Sequence, residues 1–244
     1  MPSQQIVAEL APTGTLRAGI NLSNFLLVSG TSSSGDPEGV APDMARAIAE
    51  RLGVPVAYKT FPRPGLLADA AEDDVWDIGL IGAEPARAKK IAFSPAYAEI
   101  ASTYLVPAGS PLTAIEQVDR PGIRIAVTAR TAYELWLSRH IQHAELVMSE
   151  SLDAAFEQFV ADKLDALAGL KPRLLKDVEK LPGARILDGQ FSAVQQAVGT
   201  LWSHEAGAAF LRDFVEEAKA SGLVASLIER HHIQGLSVAP PVPA

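Results

Sequence analysis

Arg87 stands one short loop beyond an apolar run, Ile78-Gly79-Leu80-Ile81-Gly82. A guanidinium is a planar fork of donors, suited to a two-point grip on a carboxylate. Glu84, in the same loop, is the carboxylate here for acid–base work or for pairing a cation. A second constellation follows the apolar run 124–128: Thr128, Arg130, Thr131 and Ala132, with Glu134 three places after Thr131. Thr-x-x-Glu is the pattern of a capping box, and the N–H groups at such a helix start attract anions. Thr131 as a plain N-cap is the simpler alternative. Asn21 and Asn24, with Ser23 between, form a polar loop that either lines a site or satisfies its own turn. Lys89 and Lys90 read as solvated, and a surface ion pair is the bland alternative for Arg87.

Other chemistries lack their residues. Cysteine is absent, so no disulfide, thiol nucleophile or thiolate metal site exists. The five histidines are scattered or terminal; His140 and His143 share a helix face without a carboxylate at metal spacing. No metal and no cofactor is expected. Neither a glycine-rich phosphate loop nor a Gly-x-Ser-x-Gly elbow occurs. Net charge is −8 over 244 residues with no basic stripe, which argues against nucleic acid. No run of 18 apolar residues exists, so no membrane-spanning helix is expected. The first 20 residues lack the basic and apolar regions of a secretory leader.

The elements that must position these groups alternate between strand and helix, the pattern of an α/β fold. Residues 16–20 and 54–61 read as strands flanking a helix over 42–52. That helix has Met44, Ala47, Ile48 and Leu52 on one face and Gly53 as its stop. A short helix over 66–71 leads back to strand 78–82, and Pro85 starts the helix that carries Arg87. Residues 101–107 are an extended crossing, followed by a helical turn at 115–118. Beyond it come strand 124–128, helix 133–141 and strand 146–148. Leu152, Ala155, Phe156, Phe159 and Val160 form a helical stripe expected in the core. Strand 163–169, helix 172–180 and a return crossing at 191–198 follow. Helix 205–220 buries Phe210, Phe214, Val215 and Ala218, and helix 223–229 comes last. Residues 1–14 read as a polar lead-in, residues 29–39 as a turn cluster, and 240–244 as a frayed tail. In open α/β sheets ligands bind beyond the carboxyl ends of the strands, where Gly82, Glu84 and Arg87 fall.

Asp77, Gly82, Arg87, Lys89, Lys90, Phe93, Ser94 and Tyr97 occur in an order that resembles the family 3 solute-binding proteins, receptors of amino-acid ABC importers. The segment from Gly39 through Asp43 to Leu52-Gly53 resembles that family too. The resemblance implies an α/β, type II periplasmic-binding-protein clamshell with two hinge crossings near 101–109 and 190–199. Lobe one would comprise 1–105 and 196–244, and lobe two 106–195. It implies a receptor, not an enzyme, capturing a small polar ligand, an amino acid or organic acid, in an interlobe cleft that closes on it. The partner would be an ABC permease, the receptor a monomer, and the compartment periplasmic if a leader has been trimmed. A start at Met1 would imply cytoplasm. It assigns the ligand to Asn21, Asn24, Phe61 as an aromatic cover, Gly82, Glu84, Arg87, Thr128, Arg130, Thr131, Ala132 and Lys171. Arg130 stands where the family has glycine. Leu170 stands where amino-acid binders carry the aspartate that holds an α-ammonium, so a carboxylate ligand without that group is expected. A cyclohexadienyl-dehydratase-like enzyme using Glu84, and a sensory or cytosolic binder without a transporter, are the alternatives on the same fold.

Overall fold

Strand Leu16–Asn21 is the middle of a parallel trio. It pairs with Val56–Phe61 on one side, Leu16 opposite Val56, and with Ile78–Gly82 on the other, Ala18 opposite Ile78. All five residues of Ile78–Gly82 are buried, as expected of a strand covered on both faces. Ser192–Leu201 then pairs antiparallel with it, Gln196 opposite Gly82. We describe a computed structural model; its described residues are 2–242, so Met1 of the lead-in and Pro243 and Ala244 of the tail lie outside them.

The chain divides into two units, Met1–Glu99 with Gln195–Ala244, and Ile100–Val194. Two long strands, Ile91–Val106 and Ser192–Leu201, contribute residues to both. At the seam of the first unit the Gln195 amide Nε2 donates to Glu99 Oε1 at 2.8 Å.

In the first unit, helix Val40–Leu52 buries Met44, Ala45, Ile48, Ala49 and Leu52, while Ala47 is half-buried. Gly39 precedes it at φ 143°, where an added Cβ would lie 2.3 Å from the Leu27 carbonyl oxygen. Gly53 closes it in the left-handed region, its N–H donating to the Ala49 and Glu50 carbonyls. The polar lead-in expected over 1–14 is instead a helix, Gln4–Leu10, capped by Ser3. Leu10 is fully buried and worth about 1.5–3 kcal/mol. The Glu9 carboxylate accepts the Gly207 N–H at 2.7 Å, in the first turn of helix Glu205–Ala220. Phe214, Val215 and Ala218 of that helix are buried; Phe210 is half-buried.

In the second unit, strand Arg124–Thr128 is flanked in parallel by Glu145–Ser149 and Ala166–Leu170, Ile125 opposite Ala166. Ala166–Leu170 also pairs antiparallel with Ile91–Val106, Ser102 opposite Leu170. Helix Leu152–Ala161 buries Ala155 and Phe159. Val160, expected in the core, is 45% exposed: the stripe is wider than the strip of helix that the strands cover.

The two units start their parallel strands in the same way. Asp77 accepts the Arg17 backbone N–H at 2.7 Å, and Asp165 accepts the Arg124 backbone N–H at 2.8 Å. In each case an aspartate just before one strand anchors the first residues of its neighbour.

Candidate functional site

Helix Pro85–Ala88 is a single turn beyond the carboxyl end of strand Ile78–Gly82. Glu84 is its N-cap, the Glu84 carbonyl accepting the Arg87 and Ala88 N–H groups at 2.9 Å each. A four-residue helix is marginal by itself, and side chains hold this one. The Arg87 Nη1 donates to the Gly82 carbonyl at 2.7 Å, and the Trp202 indole Nε1 donates to the Ala88 carbonyl at 2.9 Å. Lys90 pairs with Glu72 rather than only with solvent. Arg87 is 6% exposed and Glu84 8%. The arginine is therefore a packed member of its unit, not the solvated side chain typical of the residue.

The other first-unit candidates are also tied locally. The Asn21 Oδ1 accepts from the Ser23 N–H and hydroxyl, and the Asn24 Oδ1 accepts from the Leu26 N–H. Both are turn-forming bonds of the kind such residues make. Phe61 ends strand Val56–Phe61 and packs against the cluster of Leu67, Trp76 and Ile81.

In the second unit, strand Arg124–Thr128 feeds through three residues, Ala129 to Thr131, into helix Ala132–His140. Thr131 caps it: its hydroxyl accepts the Glu134 N–H at 3.2 Å and donates to the Thr128 carbonyl at 2.8 Å. Glu134 completes a modified capping box. Its Oε2 accepts the N–H of Arg130, not of the cap residue, at 2.7 Å, and its Oε1 accepts from the Ser138 hydroxyl. Arg130 sits at φ 62°. That left-handed conformation favours glycine, so the arginine there is held by the Glu134 bond against a backbone preference. Thr128 and Ala132 are buried at this turn. Among the described residues, no hydrogen bond to the Thr131, Ala132 or Tyr133 N–H is made within the chain.

Strand Ala166–Leu170 ends at Leu170, the N-cap of helix Lys171–Val178, with no side-chain capping bond. Leu170 packs on the apolar cluster around Tyr104 and Val127. Thus strands Arg124–Thr128 and Ala166–Leu170 end on Thr128, Leu170 and Lys171, while Glu150 follows the end of strand Glu145–Ser149. Farther along the helix, Arg173 joins buried Asp177 and exposed Asp153; the guanidinium holds the Asp153 carboxyl below its ordinary range.

Two contributors carried no sequence signal as site residues. Trp202 has none, because its partner lies far along the chain. Glu134 is visible only as a cap. No group of three or more metal-ligating side chains occurs among the described residues.

Residues 24–232 match the family model of the bacterial extracellular solute-binding proteins, family 3. The chain belongs to that family. The L-cystine-binding protein TcyJ of Escherichia coli strain K12 is 24% identical over 220 residues, 89% of this chain and 82% of that protein. Among solved structures, the ancestral amino-acid-binding protein AncCDT-1, a precursor of cyclohexadienyl dehydratase, superposes with a TM-score of 0.73 at 21% identity. It covers 93% of this chain and 99% of its own. A mutant of ArgBP from T. maritima gives a TM-score of 0.73 at 22% identity, over 94% of this chain and 100% of its own. The fold is the α/β fold of type II periplasmic binding proteins. At these identities the structural likeness speaks for the fold alone. The family and the curated relative are binding proteins, not enzymes.

Proposed function

We propose that this family 3 protein is a periplasmic receptor that captures a small polar, carboxylate-bearing ligand and delivers it, as a monomer, to an ABC permease. Arg87 would hold the ligand carboxylate, with the helix start at Thr131 and Ala132, Arg130 and Lys171 as further anion contacts. Asn21, Asn24, Phe61, Gly82 and Thr128 would border it. The two units would act as the lobes, with the ligand engaging both and drawing them closed.

The observation that carries the ligand class is the end of strand Ala166–Leu170, where Leu170 and Lys171 stand and no carboxylate does. A leucine offers an ammonium no compensation for lost hydration. Relatives named for amino acids favour a second reading, in which Glu84, 8% exposed beside Arg87's helix, takes an ammonium in a different arrangement.

A thermal-shift screen over organic acids, amino acids and amines separates the two. A ligand that binds the folded form alone raises its melting temperature by mass action. Organic acids without an α-ammonium are expected to give the largest shifts. Largest shifts from amino acids would overturn the Leu170 argument in favour of the Glu84 reading.

A further inference from the structure

Val160 was expected in the core and is instead exposed, and it lines a cavity in the second unit. The cavity is about 240 Å³, room for on the order of eight water-sized groups at about 30 Å³ each. Phe159, Leu164, Leu181 and Pro182 form its walls. Phe159 and Leu164 are each 2% exposed and belong to the unit's core, so the floor is fixed. The wall at Pro182 is fixed as well. Gly183 has φ 81°, and an added Cβ there would come within 2.9 Å of the Ala108 Cβ.

Lys163 is the one charged residue among those lining the cavity. Its backbone lies at φ 48°, a conformation disfavoured for a side-chain-bearing residue. Two contacts pin it: its N–H donates to the Val160 carbonyl at 3.4 Å, and its carbonyl accepts from the Arg124 Nη2 at 3.1 Å. Among the described residues, no ion pair to its ammonium is found. An apolar concave wall with one cationic residue in its lining recognises a molecule with an apolar body and an anionic end.

We infer that the second unit carries a separate ligand site at Phe159, Val160, Lys163, Leu164, Leu181 and Pro182, which takes a medium-length alkyl or aryl carboxylate. The apolar body fills the cavity, and the carboxylate meets the Lys163 ammonium. The site shares no residue with the candidates at Arg87 and Thr131 and stands or falls independently of them.

The test is a titration of the isotope-labelled full chain with octanoate, followed by backbone amide NMR, with octan-1-ol as the uncharged control. Saturable shifts confined to residues 159–164 and 181–184 are expected with both. Lys163→Glu should weaken octanoate about fivefold, as befits an exposed ion pair reversed in sign, and leave octan-1-ol unchanged. Val160→Trp, at an exposed position that does not endanger folding, should abolish both by filling the cavity that it lines. Shifts centred on residues 128–132 or on Arg87, shifts that do not saturate, or equal weakening of the two probes by Lys163→Glu would each overturn the site.

Discussion

The carboxylate of Asp77, 2% exposed, accepts both the backbone N–H of Arg17 and its guanidinium, the latter from Nη2 at 2.7 Å. Arg17 in turn holds the Asp74 carbonyl at 2.6 Å, so one arginine ties the entry of strand Ile78–Gly82 to strand Leu16–Asn21. The pair raises the arginine's pKa through hydrogen bonds to Asp77 and then Asp74. Asp77→Ala removes the acceptor of the Arg17 N–H and one of the two carboxylates on its guanidinium, Asp74 remaining, and is expected to cost about 1–3 kcal/mol in urea unfolding. A loss under about 1 kcal/mol would show that the N–H of Arg17 finds another acceptor.

Gly39 is the second stability prediction. It sits at φ 143° with the Leu27 carbonyl oxygen 2.3 Å from where a Cβ would stand. The obstacle is backbone, which does not swing aside like a side chain. Gly39→Ala should lower stability by at least about 2 kcal/mol, combining strain and displacement. Gly53→Ala, where nothing lies within 4 Å of the added atom, should cost only about 1 kcal/mol for its positive φ. Equal losses for the two variants would remove the close-approach argument.

A pH dependence follows from Asp119. Burial would raise its pKa, but the N–H groups of Ala144, His143 and Gln142 all donate to the carboxylate and hold it below its ordinary value. A depressed folded-state pKa contributes stability above the unfolded value of about 3.9, and that contribution is lost as pH falls through the folded value. Asp119→Asn should thus cost about 1 kcal/mol at neutral pH, and its urea midpoint should converge on that of the parent at an acid pH below the depressed folded value. A gap of the same size at both pH values would refute the electrostatic account.

Arg87 connects stability to binding. If it holds a ligand carboxylate, Arg87→Ala should weaken the best acid from the screen by about 2–5 kcal/mol, roughly 30-fold or more. Arg87→Lys should recover part, since an ammonium lacks the planar fork. The arginine is 6% exposed and serves the Gly82 carbonyl, so Arg87→Ala should also cost about 1–3 kcal/mol of fold stability. Calorimetric titration and urea unfolding on the same sample separate the two effects. Unchanged affinity in folded Arg87→Ala would return Arg87 to a purely structural role.

Much of the fold was legible because its punctuation is local. Pro85, Gly53 and Thr131 each start or stop a helix through their own backbone chemistry, and all three act where the spacing places them. The order from Asp77 to Tyr97 placed the chain in its family. What escaped depends on distant partners. Helix Gln4–Leu10 carries little signal until Gly207 and its helix lie beside it. Of strand Ile91–Val106 the sequence showed only the crossing at 101–107; its first half contains Pro95, and there the Ser94 hydroxyl accepts the Val198 N–H at 3.1 Å. The exposure of Val160 and the burial of Arg87 depend on how much of each helix its neighbours cover, which periodicity does not report. Arg130 is the reverse case. Its replacement of a motif glycine is visible in the chain, but the Glu134 bond that steadies it is visible only in the fold.

The Glu99–Gln195 hydrogen bond has a consequence for how such a chain can be rebuilt. It joins the point where the backbone leaves the first unit to the point where it returns, so residues 100–194 form a cassette with adjacent ends. A cassette of this kind can be exchanged for the matching stretch of a relative at two cuts, without moving either terminus. Recombination at those cuts would trade the rim at Thr128 and Leu170 as one block and leave Arg87 in place.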